Sequence, residues 1–223
     1  MEQETVQIKK PSLFGMIFSP GEQFERIREK PVIWFPLILL TIVMTVVSLM
    51  SAFNIDYSAL PGMEMTAEDA EIAKTFGVVG AAITGFFAAP IGYLFFALIF
   101  WGITKIAKSD ATYKQMLSMT IFSSFIVTIG QLLNQLIIMA IDGDPFMITT
   151  SLNSFIGETG VLGAILNSIE VFNIWYYFLL AIGLNKVAKL SKTTAIIITI
   201  VFFVLGLIIA AVSGAMEGLT QIQ

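Results

Sequence analysis

VLGAILNSIEVFNIWYYFLLAIGLNKVAKLSKTTAIIITIVFFVLGLIIAAVSG, residues 161–214, is two apolar runs of membrane-spanning length joined by a short basic turn. Hydrocarbon offers a bare backbone no hydrogen bonds, so each run must cross as a helix that satisfies itself. Lys186, Lys189 and Lys192 sit in the joint, and positive charge near the end of a span is held on the cytoplasmic side. A helical hairpin with its turn in the cytoplasm follows from this stretch alone.

Extending the same rules toward the N-terminus predicts further spans at about 33–53, 77–104 and 116–141. The expected fold class is therefore all-α, a polytopic membrane protein with five transmembrane helices. Lys9, Lys10, Arg26, Arg28 and Lys30 precede the first span, and Lys105, Lys108 and Lys114 separate the second from the third. If the helices alternate, eleven of the twelve Lys and Arg residues share one face. The opposite face carries Asp56, Glu64, Glu68, Asp69, Glu71, Asp142, Asp144, Glu158 and Glu217, with Lys74 as its lone cation. The expected organisation is a cytoplasmic or interfacial segment 1–32, a membrane domain 33–214 and an extracytoplasmic tail 215–223. The expected location is the plasma membrane, crossed several times, with the N-terminus inside.

Composition agrees and excludes much chemistry. The chain is 57% hydrophobic and 13% charged, with mean hydropathy +0.87, far more apolar than a soluble domain. With no His and no Cys, a Ser–His triad, a thiol nucleophile, the usual zinc ligands and a His-ligated haem have no residues to use. No phosphate-cradling glycine motif is present. The expectation is a protein that is not an enzyme and has no metal site and no cofactor. The net charge of −4 resides largely in the outer loops and gives no footing for nucleic acid.

Residues 11–32, PSLFGMIFSPGEQFERIREKPV, form a foot before the first span. Ser19 followed by Glu22 reads as a capping box with Pro20 at the first helical position. The short helix places Phe24 and Ile27 on one side, with Arg26 and Arg28 around the rest. Such a segment is expected to lie on the inner membrane surface, rings toward lipid and cations toward headgroups, or to dock a partner protein.

Helices in lipid rely on close approach and on hydrogen bonds between them. Gly77, Ala81, Gly85 and Ala89 make a smooth face on the second span, ahead of an expected kink near Pro90, and Gly206, Ala210 and Gly214 make one on the fifth. The third span carries Gln131 and Gln135 in line with Thr120, Ser124 and Thr128, with Asn134 beside them. Antiparallel to it, the fourth carries Asn167, Glu170 and Asn173. Counting about 1.5 Å per residue from the outer ends puts Glu170 level with Gln131, near the middle of the bilayer. An acid at that depth is costly and seldom faces lipid. Two roles are open to it: a protonated carboxyl donating to an amide of the third span, or a proton, cation or peptide contact inside a cavity. After the third span, Asp142-Gly143-Asp144-Pro145 reads as a helix stop and turn. Residues 146–157 then either rest on the outer surface or dip into the membrane.

Several elements occur in a familiar order. Ser19-Pro20, Phe24-x-x-Ile27, Pro31 and Trp34-Phe35-Pro36 resemble the entry to the membrane domain of the Ypt-interacting-protein (YIP) family. Thr112-Tyr113-Lys114-Gln115 resembles that family's T-[FY]-K-Q stretch, and Lys186 to Ala195 is similar to its junction before the last helix. The resemblance implies a five-helix membrane protein without catalysis. Eukaryotic members bind small GTPases; bacterial ones look like accessory subunits, some associated with ABC exporters that handle peptides or protect against antimicrobial ones. Short loops and a short N-terminal segment fit the bacterial type. Three functions follow as expectations. The leading one is a membrane adaptor that binds another membrane protein, an ABC exporter subunit, through its small-residue faces and foot. The second is a small transporter or channel around Glu170, with a homodimer supplying the missing wall. The third is a lipid-organising protein whose partners are the membrane lipids.

Overall fold

The computed structural model describes residues 9–59 and 65–220, with side chains as far as residue 216. Glu64, the Glu217 side chain and the end of the expected tail lie outside the described residues. Short helices α1 (Gly15–Phe18) and α2 (Pro20–Glu29) lead into α3 (Trp34–Asn54), α4 (Ala67–Ile106) and α5 (Tyr113–Ile141). A short α6 (Asn153–Ile156) precedes α7 (Gly160–Ser168), α8 (Val171–Lys186) and α9 (Lys192–Thr220). Helices α3, α4, α5 and α9 are each long and apolar enough to cross a membrane. The predicted fourth span is instead two helices, α7 and α8, which meet at Ile169 and Glu170.

Helix α4 starts at a capping box, Thr66 accepting from the Asp69 backbone while the Asp69 carboxylate accepts from the Thr66 backbone. It runs 40 residues, continuing unbroken through Pro90. Its small face packs on α3. A Cβ at Gly85 would come within 2.8 Å of the Thr45 Cα, and the Ser48 hydroxyl donates to the Ala81 carbonyl at 2.9 Å. Gly77 lies against the Tyr57 ring rather than another span. On α9, Gly214 lies against the Gly160 carbonyl of α7, where a Cβ would approach to 2.5 Å, and Gly206 faces the Tyr177 hydroxyl.

Helix α5 is the central column. From Met116 to Phe125 only Ser124 is not buried, because α2, α3, α4 and α8 all pack around it. Its start is fixed by a second capping box, Thr112 with Gln115, and the Gln115 amide also donates to the Arg28 carbonyl. The polar face expected to bond neighbouring helices bonds its own backbone: Thr120, Ser124 and Thr128 donate to the carbonyls four residues earlier. That pattern satisfies each hydroxyl without an interhelical partner.

The foot turns the Phe24 and Ile27 side of α2 into the bundle and not toward lipid. Phe24 and Ile27 are both 0% exposed, wedged between α5 and α8. Gly183 lets the wedge in: a Cβ there would stand 2.8 Å from the Met119 sulfur and 3.1 Å from the Phe24 ring. An amphipathic face can be covered by protein as readily as by lipid, and here the bundle end covers it. Arg28 donates to the Val187 carbonyl at 2.6 Å and pairs with Asp110 at 3.0 Å, Lys186 pairs with Glu25 at 2.6 Å, and Ser109 donates to the Ala188 carbonyl. Foot, 107–112 loop and 187–191 loop thus interlock at one end. The expected Ser19 cap does not form; Ser19 donates to the Gly15 carbonyl, while Glu22 pairs with Arg26. Phe14 and Phe18 are the foot's exposed rings.

Candidate functional site

The break in the fourth crossing organises the other half of the molecule. Ile169 and Glu170 leave helical geometry (φ −86, ψ 77 and φ −122, ψ 140). Glu170 is the N-cap of α8: its carboxyl oxygens accept from the Phe172 and Asn173 backbones at 3.0 and 2.7 Å. A third donor, the Thr150 hydroxyl, reaches it at 2.7 Å. The carboxyl is therefore an acceptor three times over, and the donation to an amide of α5, one of the two roles the sequence left open, is not made. An acid is tolerated at this depth because the positive end of a helix and two of its unpaired N–H groups meet it.

The freed carbonyls are met as well. The Asn173 amide donates to the Ser168 carbonyl at 2.9 Å, and Leu152 donates its backbone N–H to the Ile169 carbonyl at 2.9 Å, beside an antiparallel bridge between Ser151 and Glu170. Segment 146–157 therefore dips inward instead of resting outside. Asn134 anchors it, donating to the Met147 carbonyl at 2.9 Å and accepting from the Thr149 backbone and hydroxyl, both at 2.7 Å. Asn134 sits seven residues before the end of α5, so the loop descends about 10 Å below that end. Ser151 completes the joint by donating to Asn167 at 3.1 Å. At the far side of α5 the chain turns as expected: Asp142 adopts φ 52 and Gly143 donates back to the Ile138 carbonyl.

Glu170, Asn167, Asn173, Gln131 and Asn134 line one polar cavity of about 410 Å³. Gln135 does not join them. It is buried with its Oε1 unpartnered and lines a second cavity of about 510 Å³ against α3 and α4. A third, of about 500 Å³, lies among α4, α5, α8 and α9. Gln131 is on the wall of all three. Sequence reasoning missed Thr150 and Ser151, which belong to the loop, and Gly130. A Cβ at Gly130 would stand 2.5 Å from the Phe172 ring, so this glycine sets how closely α8 begins against α5.

Helices crossing several times, one of them broken around a capped acid and sealed by an inward loop, define a polytopic all-α membrane protein. The chain belongs to the Yip1 domain family, whose pattern matches residues 14–213. It is 39% identical over 214 residues to membrane protein YknW of Bacillus subtilis (strain 168), covering 92% of this chain and 91% of that one. No solved structure matches the chain.

Proposed function

We propose that this protein is a non-enzymatic adaptor of the bacterial plasma membrane, with its basic end in the cytoplasm. Its partner is another membrane protein, and an ABC exporter concerned with peptide export or antimicrobial-peptide protection is the class the family pattern suggests. The observation that carries this is the outer end of α4. Its 40 residues make a rod of about 60 Å, twice the hydrocarbon thickness of about 30 Å. The first turns hold Glu68, Asp69, Glu71 and Lys74 and stand beyond the lipid. Yet Ile72, Phe76, Val79 and Ile83, at helical spacing, carry an exposed apolar stripe from the lipid onto that arm. Where that stripe leaves the lipid, at Ile72 and Phe76, its apolar side chains make a docking face. The small-residue faces and the foot are already occupied by the chain itself, so docking moves from there to the arm.

Affinity purification from native membranes tests this. Exporter subunits are expected to accompany the wild type and to be lost with Phe76→Glu. Recovery of the wild type alone, with no reproducible partner, overturns the proposal. The broken crossing and the three separate cavities that share Gln131 favour one other function, a small transporter or channel, since interrupted helices commonly line substrate paths. Flux through the purified protein in liposomes, abolished by Gln131→Leu, would support that function over the adaptor.

A further inference from the structure

We infer that the groove between α8 and α9 at the basic end is a binding site for one anionic phospholipid. The groove holds about 840 Å³ and is walled by Phe178, Ile182, Ile196 and Ile200, with Asn185, Lys186 and Lys192 at its mouth. It extends from Lys186 back to Ile174 on α8, twelve residues or about 18 Å. That length matches a single leaflet, about half of the 30 Å hydrocarbon core. The Tyr177 and Phe203 rings meet edge to face near its deep end, centroids 5.2 Å apart. The lining residues end at Ile174 and Phe203, short of the length that a partner's transmembrane helix of about 20 residues would occupy.

Charge names the headgroup. Lys186 and Lys192 stand where apolar wall gives way to the membrane surface. Glu25 holds Lys186 in an ion pair, while Lys192 has no carboxylate partner among the described residues. The mouth is left net positive, complementary to a phosphodiester without a compensating amine. Thr199, 7% exposed, lies on the wall with its hydroxyl unpartnered, seven residues or about 10 Å from Lys192.

Native mass spectrometry of the full chain in mild detergent, offered equimolar palmitoyl-oleoyl phosphatidylglycerol and phosphatidylcholine, tests the site. One phosphatidylglycerol is expected to be retained in preference. The double variant Lys186→Gln/Lys192→Gln should lose about fivefold of that preference per lysine, as expected for one basic group near an anionic surface. Glu25→Gln, which breaks the ion pair and keeps the cation, should retain phosphatidylglycerol at least as well as wild type. Ala181→Trp, which fills the groove, should reduce retention of both lipids, and Lys105→Gln should change nothing. Equal retention of the two lipids by the wild type overturns the assignment, as does an undiminished preference in the double variant. Loss of a copurifying protein from Ala181→Trp, with lipid retention unchanged, gives the groove to a partner helix instead.

Discussion

Replacing Glu170 by Gln separates an accepting carboxyl from a donating one. The native side chain accepts from two backbone N–H groups of α8 and from Thr150. Glutamine offers one oxygen in place of two, and its NH₂ would confront an N–H that is itself a donor. One donor left unmet away from water costs about 1–3 kcal/mol, and losing the charge at a helix N-terminus costs up to about 2 more in a partly buried setting. Together these predict a loss of roughly 2–4 kcal/mol. For a chain of this size that lowers the melting midpoint by roughly 5–15 °C. Glu170→Asp keeps an acceptor within reach of the same amides and is expected to fall between wild type and Gln, because Asp is a favoured N-cap. Midpoints can be read by heating the protein in detergent and measuring the surviving monodisperse peak, with hydrogen exchange of the Phe172 and Asn173 amides as a local check. If Gln matches the wild type while Ala is destabilised, the carboxyl acts as a donor and the capping account is wrong.

Other perturbations test the neighbouring joints. Phe24→Ala should destabilise by about 3–5 kcal/mol, the cost of emptying a core site, where a surface anchor would lose far less; thermal midpoints decide. Gly130→Leu should push Phe172 aside and weaken the start of α8, seen as faster exchange of its first-turn amides with α9 unaffected. Asn134→Leu should release the inward loop, making residues 146–157 newly cleavable by protease added to the outer side. The carboxylates of the basic end predict a pH effect. Lys186, by hydrogen bond and then by charge, holds Glu25 below its ordinary 4.5, and Arg28 likewise holds Asp110 below 3.8. Lowered values mean that the folded state favours the ionised forms. Their contribution is complete above about pH 4.5 and is lost as the pH falls through the lowered values. The gap in midpoint between wild type and Glu25→Gln/Asp110→Asn should therefore close on acidification.

Hydropathy placed the ends of α3 and α5 within a few residues, since a span must end where charge begins. It did not show the break, because the polar interruption at Asn167, Ser168, Glu170 and Asn173 is short and sits inside an apolar run of spanning length. The signal present was Glu170 itself: an acid in a run of hydrocarbon needs donors, and a helix N-terminus supplies them. The five polar residues gathered in one cavity were visible as facing positions, whereas Gln135 departed because one more turn carries it toward α3 and α4. For the foot, the spacing of Phe24 and Ile27 gave the apolar face correctly. Periodicity does not say what covers a face, and Gly183, which admits the ring, lies more than a hundred and fifty residues away. Gly130 had no local signature at all.

The interrupted crossing also bears on how the chain is made. Helix α7 has 9 residues and α8 has 16, and neither reaches the ~20 apolar residues that hold a segment in the bilayer alone. Helix α7 finds its packing partner in α9, through Gly160 and Gly214. The nascent fourth segment is therefore expected to insert only together with the fifth, as a hairpin leaving the ribosome. In a chain truncated before Lys192, which keeps α3, α4 and α5 as anchors, Lys186 should be reached by a membrane-impermeant amine reagent added on the outer side, and in one running past Thr220 it should not.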